Sequence, residues 1–182
     1  PEVLDTILSN FSGGVFLDVG ASTGIYTLIS SVKAQRVIPI EINPTSIETI
    51  KQSVKLNNLT NVDLSYLGFP LGSGTGDFGL PPNITELSSG LIQGEGNNFI
   101  RARSLDELNL DQLDFIKVDI DGMEAKFLEG ARETLTRLKP KIIIEFRKDT
   151  KERGFEILEE LNYELKESWG EENKLDCFFL PR

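Results

Sequence analysis

The sequence predicts an α/β domain, a doubly wound and mostly parallel sheet closed by an antiparallel C-terminal pair of strands. Three observations carry this. Short apolar runs alternate with segments of helical period along most of the chain, the pattern of repeated βαβ units with right-handed crossovers. The first apolar run opens into a glycine loop and then a helix. The last two runs, residues 163–166 and 176–180, are separated only by a polar turn around Gly170, so they pair antiparallel.

Each element has its own signal. Val3, Leu4, Ile7, Leu8 and Phe11 share one helical face, and Ser12-Gly13-Gly14 ends that N-terminal helix within residues 1–12. Residues 15–19 are a short apolar run, the pattern of a strand buried on both faces. Gly20 to Gly24 turn, and Ile25, Leu28, Ile29 and Val32 recur at helical spacing. Residues 36–41 form the second strand. Asn43 then caps a helix, with Pro44 suited to its first position and Ile47, Ile50 and Val54 on its buried side. A third strand is expected over 62–67. Residues 68–98 are rich in Gly, Pro, Ser and Asn, with short apolar pieces near Phe78 and Leu91. They read as an irregular insert that extends to about 103, through a short strand at 99–103, and lies near the substrate side. Ser104 caps a short helix over Leu105 and Leu108. Residues 113–120 make a buried strand ending in acid. Met123, Phe127, Leu128, Ala131, Leu135 and Leu138 define one long amphipathic helix, stopped by Lys139-Pro140. Residues 141–146 are the next strand, and Phe155, Leu158 and Leu161 mark a further helix.

The 182 residues fit one domain, 1–182, with a real core. The lone cysteine, Cys177, forbids an internal disulfide and lies in an apolar run as a buried thiol, which fits a reducing compartment. No run approaches the ~18 apolar residues of a membrane span. A cytoplasmic location is expected. The chain starts at Pro1 rather than Met and reads as trimmed or cut from a longer protein. The net charge of −10 argues against a nucleic-acid partner, because phosphate contacts need clustered Lys and Arg. Histidine is absent, so a general base must be Asp, Glu, Lys, Tyr or Cys.

Chemistry concentrates at three strand ends. The first is Asp18-Val19-Gly20-Ala21-Ser22-Thr23-Gly24. Glycines at a strand's carboxyl end let the backbone approach a ligand, and open α/β sheets bind ligands there. The spacing is neither the dinucleotide G-x-G-x-x-G nor a phosphate loop. A cofactor carrying an ammonium group fits, with Asp18 orienting the loop or receiving the cation; a ligand-free glycine turn is the plainer reading. The second is Glu41, 23 residues after Asp18, where an acid can accept hydrogen bonds from ribose hydroxyls or simply flank a helix. The third is Lys117-Val118-Asp119-Ile120-Asp121-Gly122-Met123-Glu124. Its three carboxylates can hold a cation, position a hydroxyl or supply a base, while Glu124 can equally complement a helix N-terminus.

Taken together these blocks resemble the FkbM family of methyltransferases. The opening motif runs from Asp18 to Leu28. Glu41-Ile42-Asn43-Pro44 followed by Leu56-Asn57-Asn58 is similar to the second block. Residues 117–124 are similar to K-x-D-x-E-G-x-E, with Asp121 replacing Glu, and Phe127-Leu128-Glu129-Gly130-Ala131 and Ile142-Ile143-Ile144-Glu145 continue the pattern. The resemblance covers about residues 12 to 180. It implies a seven-stranded Rossmann-like sheet and an S-adenosylmethionine-dependent transferase acting on oxygen of a small molecule or glycan. It places Asp18, Gly20, Ala21, Ser22, Thr23 and Gly24 at the cofactor's amino-acid end, Glu41 at the ribose, and Ile42, Gly68 and Phe69 near the base. Gly68-Phe69-Pro70 departs from the common pattern. Asp119 closes the cleft near the methyl group, and Asp119, Asp121 and Glu124 are the catalytic candidates. Magnesium at this turn fits the residue types, but no metal ligand is assigned. The turn Asp119-Ile120-Asp121-Gly122 lacks the Asn/Asp-Pro-Pro-aromatic pattern of nucleic-acid base methylation. A non-catalytic module on the same fold is the alternative.

Overall fold

The computed structural model describes residues 2–74, 77–80, 92–93 and 98–182, with backbone alone for those between 77 and 101. In chain order the elements are α1 (Glu2–Asn10), β1 (Val15–Val19), α2 (Ile25–Ser31), β2 (Arg36–Ile40), α3 (Pro44–Leu56), β3 (Asp77–Leu80), β4 (Ile92–Gln93) and β5 (Asn98–Arg101). Then come β6 (Phe115–Val118), α4 (Glu124–Glu129), α5 (Arg132–Leu138), β7 (Lys141–Arg147), α6 (Lys148–Glu160), β8 (Tyr163–Glu171) and β9 (Lys174–Pro181). Short 3-10 turns cover Leu64–Tyr66 and Asp106–Leu108.

The main sheet has six strands in the order β2-β1-β6-β7-β9-β8. β2, β1, β6 and β7 are parallel, and β9 and β8 join antiparallel. A separate antiparallel sheet holds β4, β3 and β5. The strand expected near Phe78 and that expected at 99–103 therefore belong to this small sheet. Leu91 lies outside the described residues.

The strands alternate between two buried layers. Leu17, Ile38, Ile116, Ile142, Ile144, Cys177 and Phe179 pack with Phe127, Leu128, Leu135, Ile157 and Leu158 from α4, α5 and α6. Phe16, Val37, Phe115, Ile143 and Phe178 face the other way, against Ile7 of α1, Phe11 and Tyr26. There Phe16 and Phe115 stack at 5.5 Å, and Phe11 meets Phe16 edge-on at 5.2 Å. The double winding follows from this two-sided burial. Cys177 is a fully buried core thiol opposite Ile144. Among the described residues no helix is long and apolar enough to cross a membrane.

The sheet departs from the seven strands expected. Residues 62–67 touch β2 through a single parallel bridge, Val37 to Val62. Asp63 then diverts the backbone: its carboxylate accepts from the Ser65 amide at 3.0 Å and hydroxyl at 2.6 Å, turning the chain into a 3-10 coil. The long helix expected over 123–138 is two helices. A Cβ on Gly130 would lie 2.0 Å from the Gly72 carbonyl oxygen. The Gly130 carbonyl instead accepts from the Asp106 amide at 3.0 Å, and the Asp106 carboxylate caps α5 through the Thr134 and Glu133 amides at 2.8 and 3.2 Å. The closing hairpin is longer than its apolar runs, because its outer residues are polar and exposed.

Other local expectations match. The Asn43 side chain accepts from the Thr45 and Ser46 amides, with Pro44 at the first helical position. Ser104 and Glu107 form a reciprocal capping box at 3.1 and 2.7 Å.

Candidate active site

The carboxyl ends of β1, β2, β6 and β7 lie side by side, so the segments after them share one edge. After β1, the Gly20 and Ala21 amides both donate to the Ile40 carbonyl at 3.0 Å. Gly20 has φ +75°, and a Cβ there would lie 1.9 Å from the Asp119 carbonyl oxygen. Only glycine lets the loop pack this tightly on the β6 end. Gly24, at φ +86°, leads into α2 with its α-carbon against Ile50. Ser22 and Thr23 are exposed at the loop tip, and Ala21 is buried beneath it.

Glu41 fastens this loop to the end of β2. One carboxylate oxygen accepts from the Ser22 amide at 2.7 Å, the other from the Ile42 and Asn43 amides at 2.7 and 2.8 Å. The Gly68 amide donates to the Glu41 carbonyl at 2.8 Å. Gly68 has φ +99°, and where its Cβ would point no described residue beyond its two chain neighbours has an atom within 4 Å. Phe69 beside it is half-buried, edge-on to Tyr66 at 6.2 Å and 4.9 Å beneath the Arg103 guanidinium.

Asp18 lies wholly inside. Thr27 donates its hydroxyl to it at 2.6 Å, and the Lys117 ammonium stands 3.9 Å away. Burial pushes its carboxyl up, opposed by Lys117 and Thr27. Of the two roles open to it, this geometry fits orienting the loop.

The acidic turn after β6 divides its three acids between two environments. Asp119 and Asp121 are half-exposed; Asp121 has φ +45°, Gly122 follows at +96°, and the Arg147 guanidinium lies 3.4 Å from Asp121. Glu124 turns inward. It is buried, accepts from the Gly122 amide at 2.8 Å and the Thr150 hydroxyl at 2.6 Å, and burial raises its carboxyl. It braces the turn against α6 instead of standing with the other two.

A residue not singled out by sequence joins them. Val118 is level with Ile144, so Glu145 stands beside Asp119 on the neighbouring strand. Asp119, Asp121 and Glu145 each bring a carboxylate oxygen within 4.8 Å of the others. Each also faces a cation of the chain: Lys117 at 3.6 Å, Arg147 at 3.4 Å and Lys174 at 2.8 Å. Their charge is already largely offset, and no metal is assigned. Burial lifts the Glu145 carboxyl to about 7, with Lys174 opposing and the Asp119 charge adding. Its signal in the sequence was an acid closing an apolar strand, as in Asp119, but without neighbouring acids to draw notice.

The family model for the methyltransferase FkbM domain matches residues 18–172. Over 50 residues the chain is 32% identical to an uncharacterized protein of Methanocaldococcus jannaschii, covering 28% of this chain and 19% of that protein. The structure of methyltransferase FkbM from Methylobacillus flagellatus superimposes with TM-score 0.64 at 22% identity, over 92% of this chain and 44% of that one. A putative methyltransferase from Streptococcus mutans, in complex with SAH, superimposes with TM-score 0.66 at 10% identity, over 98% and 95% of the two chains. The chain thus spans less than half the length of the curated relative and of the FkbM structure.

Proposed function

From the premise that this chain belongs to the FkbM methyltransferase domain family, we propose that it transfers a methyl group from S-adenosylmethionine to a hydroxyl oxygen of a small molecule or glycan. One observation carries the cofactor reading: the open space above Gly68 adjoins Glu41, and Glu41 adjoins the Gly20–Gly24 loop. Apart from its chain neighbours Leu67 and Phe69, a flat base laid on Gly68 meets no described side chain there. Glu41 uses three of about four carboxylate acceptor positions on backbone amides, so one is left for a ribose hydroxyl. Ile42 and Phe69 flank the base. Ser22 and Thr23, exposed at the loop tip, meet the amino-acid end. The SAH held by the Streptococcus mutans neighbour supports the same ligand class on this fold.

When bound, S-adenosylmethionine supplies a methyl group already activated by its sulfonium. The protein's task is then to align a nucleophile and receive its proton, and alignment alone is worth roughly 7–11 kcal/mol of barrier. Asp119 and Asp121 are the candidate proton acceptors, since the chain has no histidine and Glu124 is engaged beneath the turn. A carboxylate oxygen of Asp119 takes the hydroxyl proton while Lys117 and Arg147 limit repulsion within the turn. The acceptor's pocket is assigned to residues 68–103, most of which lie outside the described side chains, together with the segment after Glu145, where β7 passes into α6. The net charge of −10 favours a small molecule or glycan over a polyanion.

Calorimetric titration with S-adenosylhomocysteine tests the cofactor, and transfer of labelled methyl groups to a panel of hydroxyl compounds tests the reaction. Micromolar binding with label in an ether product is expected. No binding of either adenosyl compound would sink the reading. Binding with label on nitrogen or carbon acceptors only would move it to another methyl acceptor.

A further inference from the structure

We propose that Lys117 is a positioning residue of the cofactor site, its buried ammonium fixing the Gly20 peptide and tying the glycine loop to Asp119. This role rests on the S-adenosylmethionine reading. Lys117 is level with Asp18 across the β1–β6 pairing, so both side chains stand on one face of the sheet. Its side chain is only 6% exposed, although lysines almost never lose contact with water. The ammonium has three donors. Among the described residues it makes one hydrogen bond, to the Gly20 carbonyl at 3.1 Å. Asp119 at 3.6 Å and Asp18 at 3.9 Å are near enough to pair in charge and too far for hydrogen bonds. The Tyr26 ring centre closes another side at 5.1 Å.

This is not the geometry of an ion pair kept for stability. The nearer Asp18 oxygen has no hydrogen-bond partner among the described residues, although it is fully buried. An apolar pair of similar size would serve the core at least as well. The lysine's one short contact goes instead to the loop. Gly20 is thereby held on both sides, its amide and that of Ala21 by Ile40, its carbonyl by Lys117. The left-handed turn at Gly20 is set before a ligand arrives, which removes an ordering cost from binding. The same ammonium faces Asp119, so the cofactor loop and the acidic turn share one anchor.

A double-mutant cycle on the full chain tests this: wild type, Asp18→Asn, Lys117→Met and the pair together. Each is measured for melting temperature, for S-adenosylhomocysteine affinity by calorimetry, and for hydrogen exchange of the Gly20 and Ala21 amides. Lys117→Met alone lowers melting temperature, affinity and amide protection, because Asp18 is left buried without a counter-charge. The pair removes both charges and regains the melting temperature. Its affinity stays about tenfold below that of Asp18→Asn, the scale of one charge-assisted hydrogen bond, and the two amides exchange faster. Affinity recovering together with melting temperature would overturn the proposal. If the double variant does not fold, Lys117→Arg decides: retained melting temperature with weakened affinity supports positioning, unchanged affinity overturns it. A wild-type chain that binds no S-adenosylhomocysteine defeats the methyltransferase reading instead. Amide exchange in the free protein then still decides, and equal rates with and without Lys117 reject the positioning role.

Discussion

Glu41 gathers three amides from two loops onto one carboxylate, so it organises the cleft as well as facing it. Glu41→Ala is expected to weaken S-adenosylhomocysteine binding about tenfold to a hundredfold, because hydrogen bonds to a charged group are each worth roughly 1.5–3 kcal/mol. Calorimetry reads this directly, and unchanged affinity removes Glu41 from the site. Gly20→Ala should abolish binding or folding, since its Cβ would collide with the Asp119 carbonyl at 1.9 Å; circular dichroism separates the two outcomes. At this scale the sequence was informative where chemistry repeats at strand ends. Asp18, Gly20, Glu41 and Asp119 all stand at such ends, and a short loop must place their neighbours at one edge. It set Glu145 at the end of an apolar strand without giving it a role, because its partner Asp119 lies on another strand and meets it only through sheet register. It offered a helix N-terminus as one role for Glu124, but not the contact that turns its side chain away from Asp121. That separation depends on Thr150, a residue of α6 that the local motif does not contain.

The two short helices α4 and α5 exist because of a residue outside both. Asp106 caps α5 from a distant turn, and its own amide takes the Gly130 carbonyl that a continuous helix would have used. Asp106→Ala should therefore cost about 1 kcal/mol of stability, the usual scale of a lost N-cap. Urea unfolding measures it, and an unchanged midpoint would show that the break is held by Gly130 packing alone. Elements with local causes were legible: the Asn43-Pro44 start of α3, the apolar β1, and the antiparallel pairing of β8 and β9. The helix break was not, because the heptad-like run from Met123 to Leu138 is uninterrupted and its interruption comes from Asp106 and Gly72. The seventh strand failed for a nearer reason, the side chain of Asp63 competing for the backbone of its own segment.

Across the molecule, burial raises the carboxyls of Asp18, Glu124, Glu145 and Asp176. Between the unfolded value of 4.5 and about 7, Glu145 binds more proton folded than unfolded. Stability on its account is full below that window and falls as pH rises through it. The unfolding free energy of the whole chain should decline from pH 5 to pH 8, by about 1–3 kcal/mol for this group once solvent screening of a half-buried acid is allowed for. Glu145→Gln should flatten the decline, as urea titrations at four pH values would show; parallel curves would place the sensitivity in the other three acids. The core also contains a reporter that no one needs to install. Cys177 is the chain's single thiol, sealed between β7 and β8, its ionisation pushed up to about 12 by burial. A thiol reagent can reach it only when the antiparallel end of the sheet comes apart. The labelling rate of the unmodified chain is thus a stopwatch for that opening event, and adding a cleft ligand should slow it in proportion to the ligand's grip on the folded state.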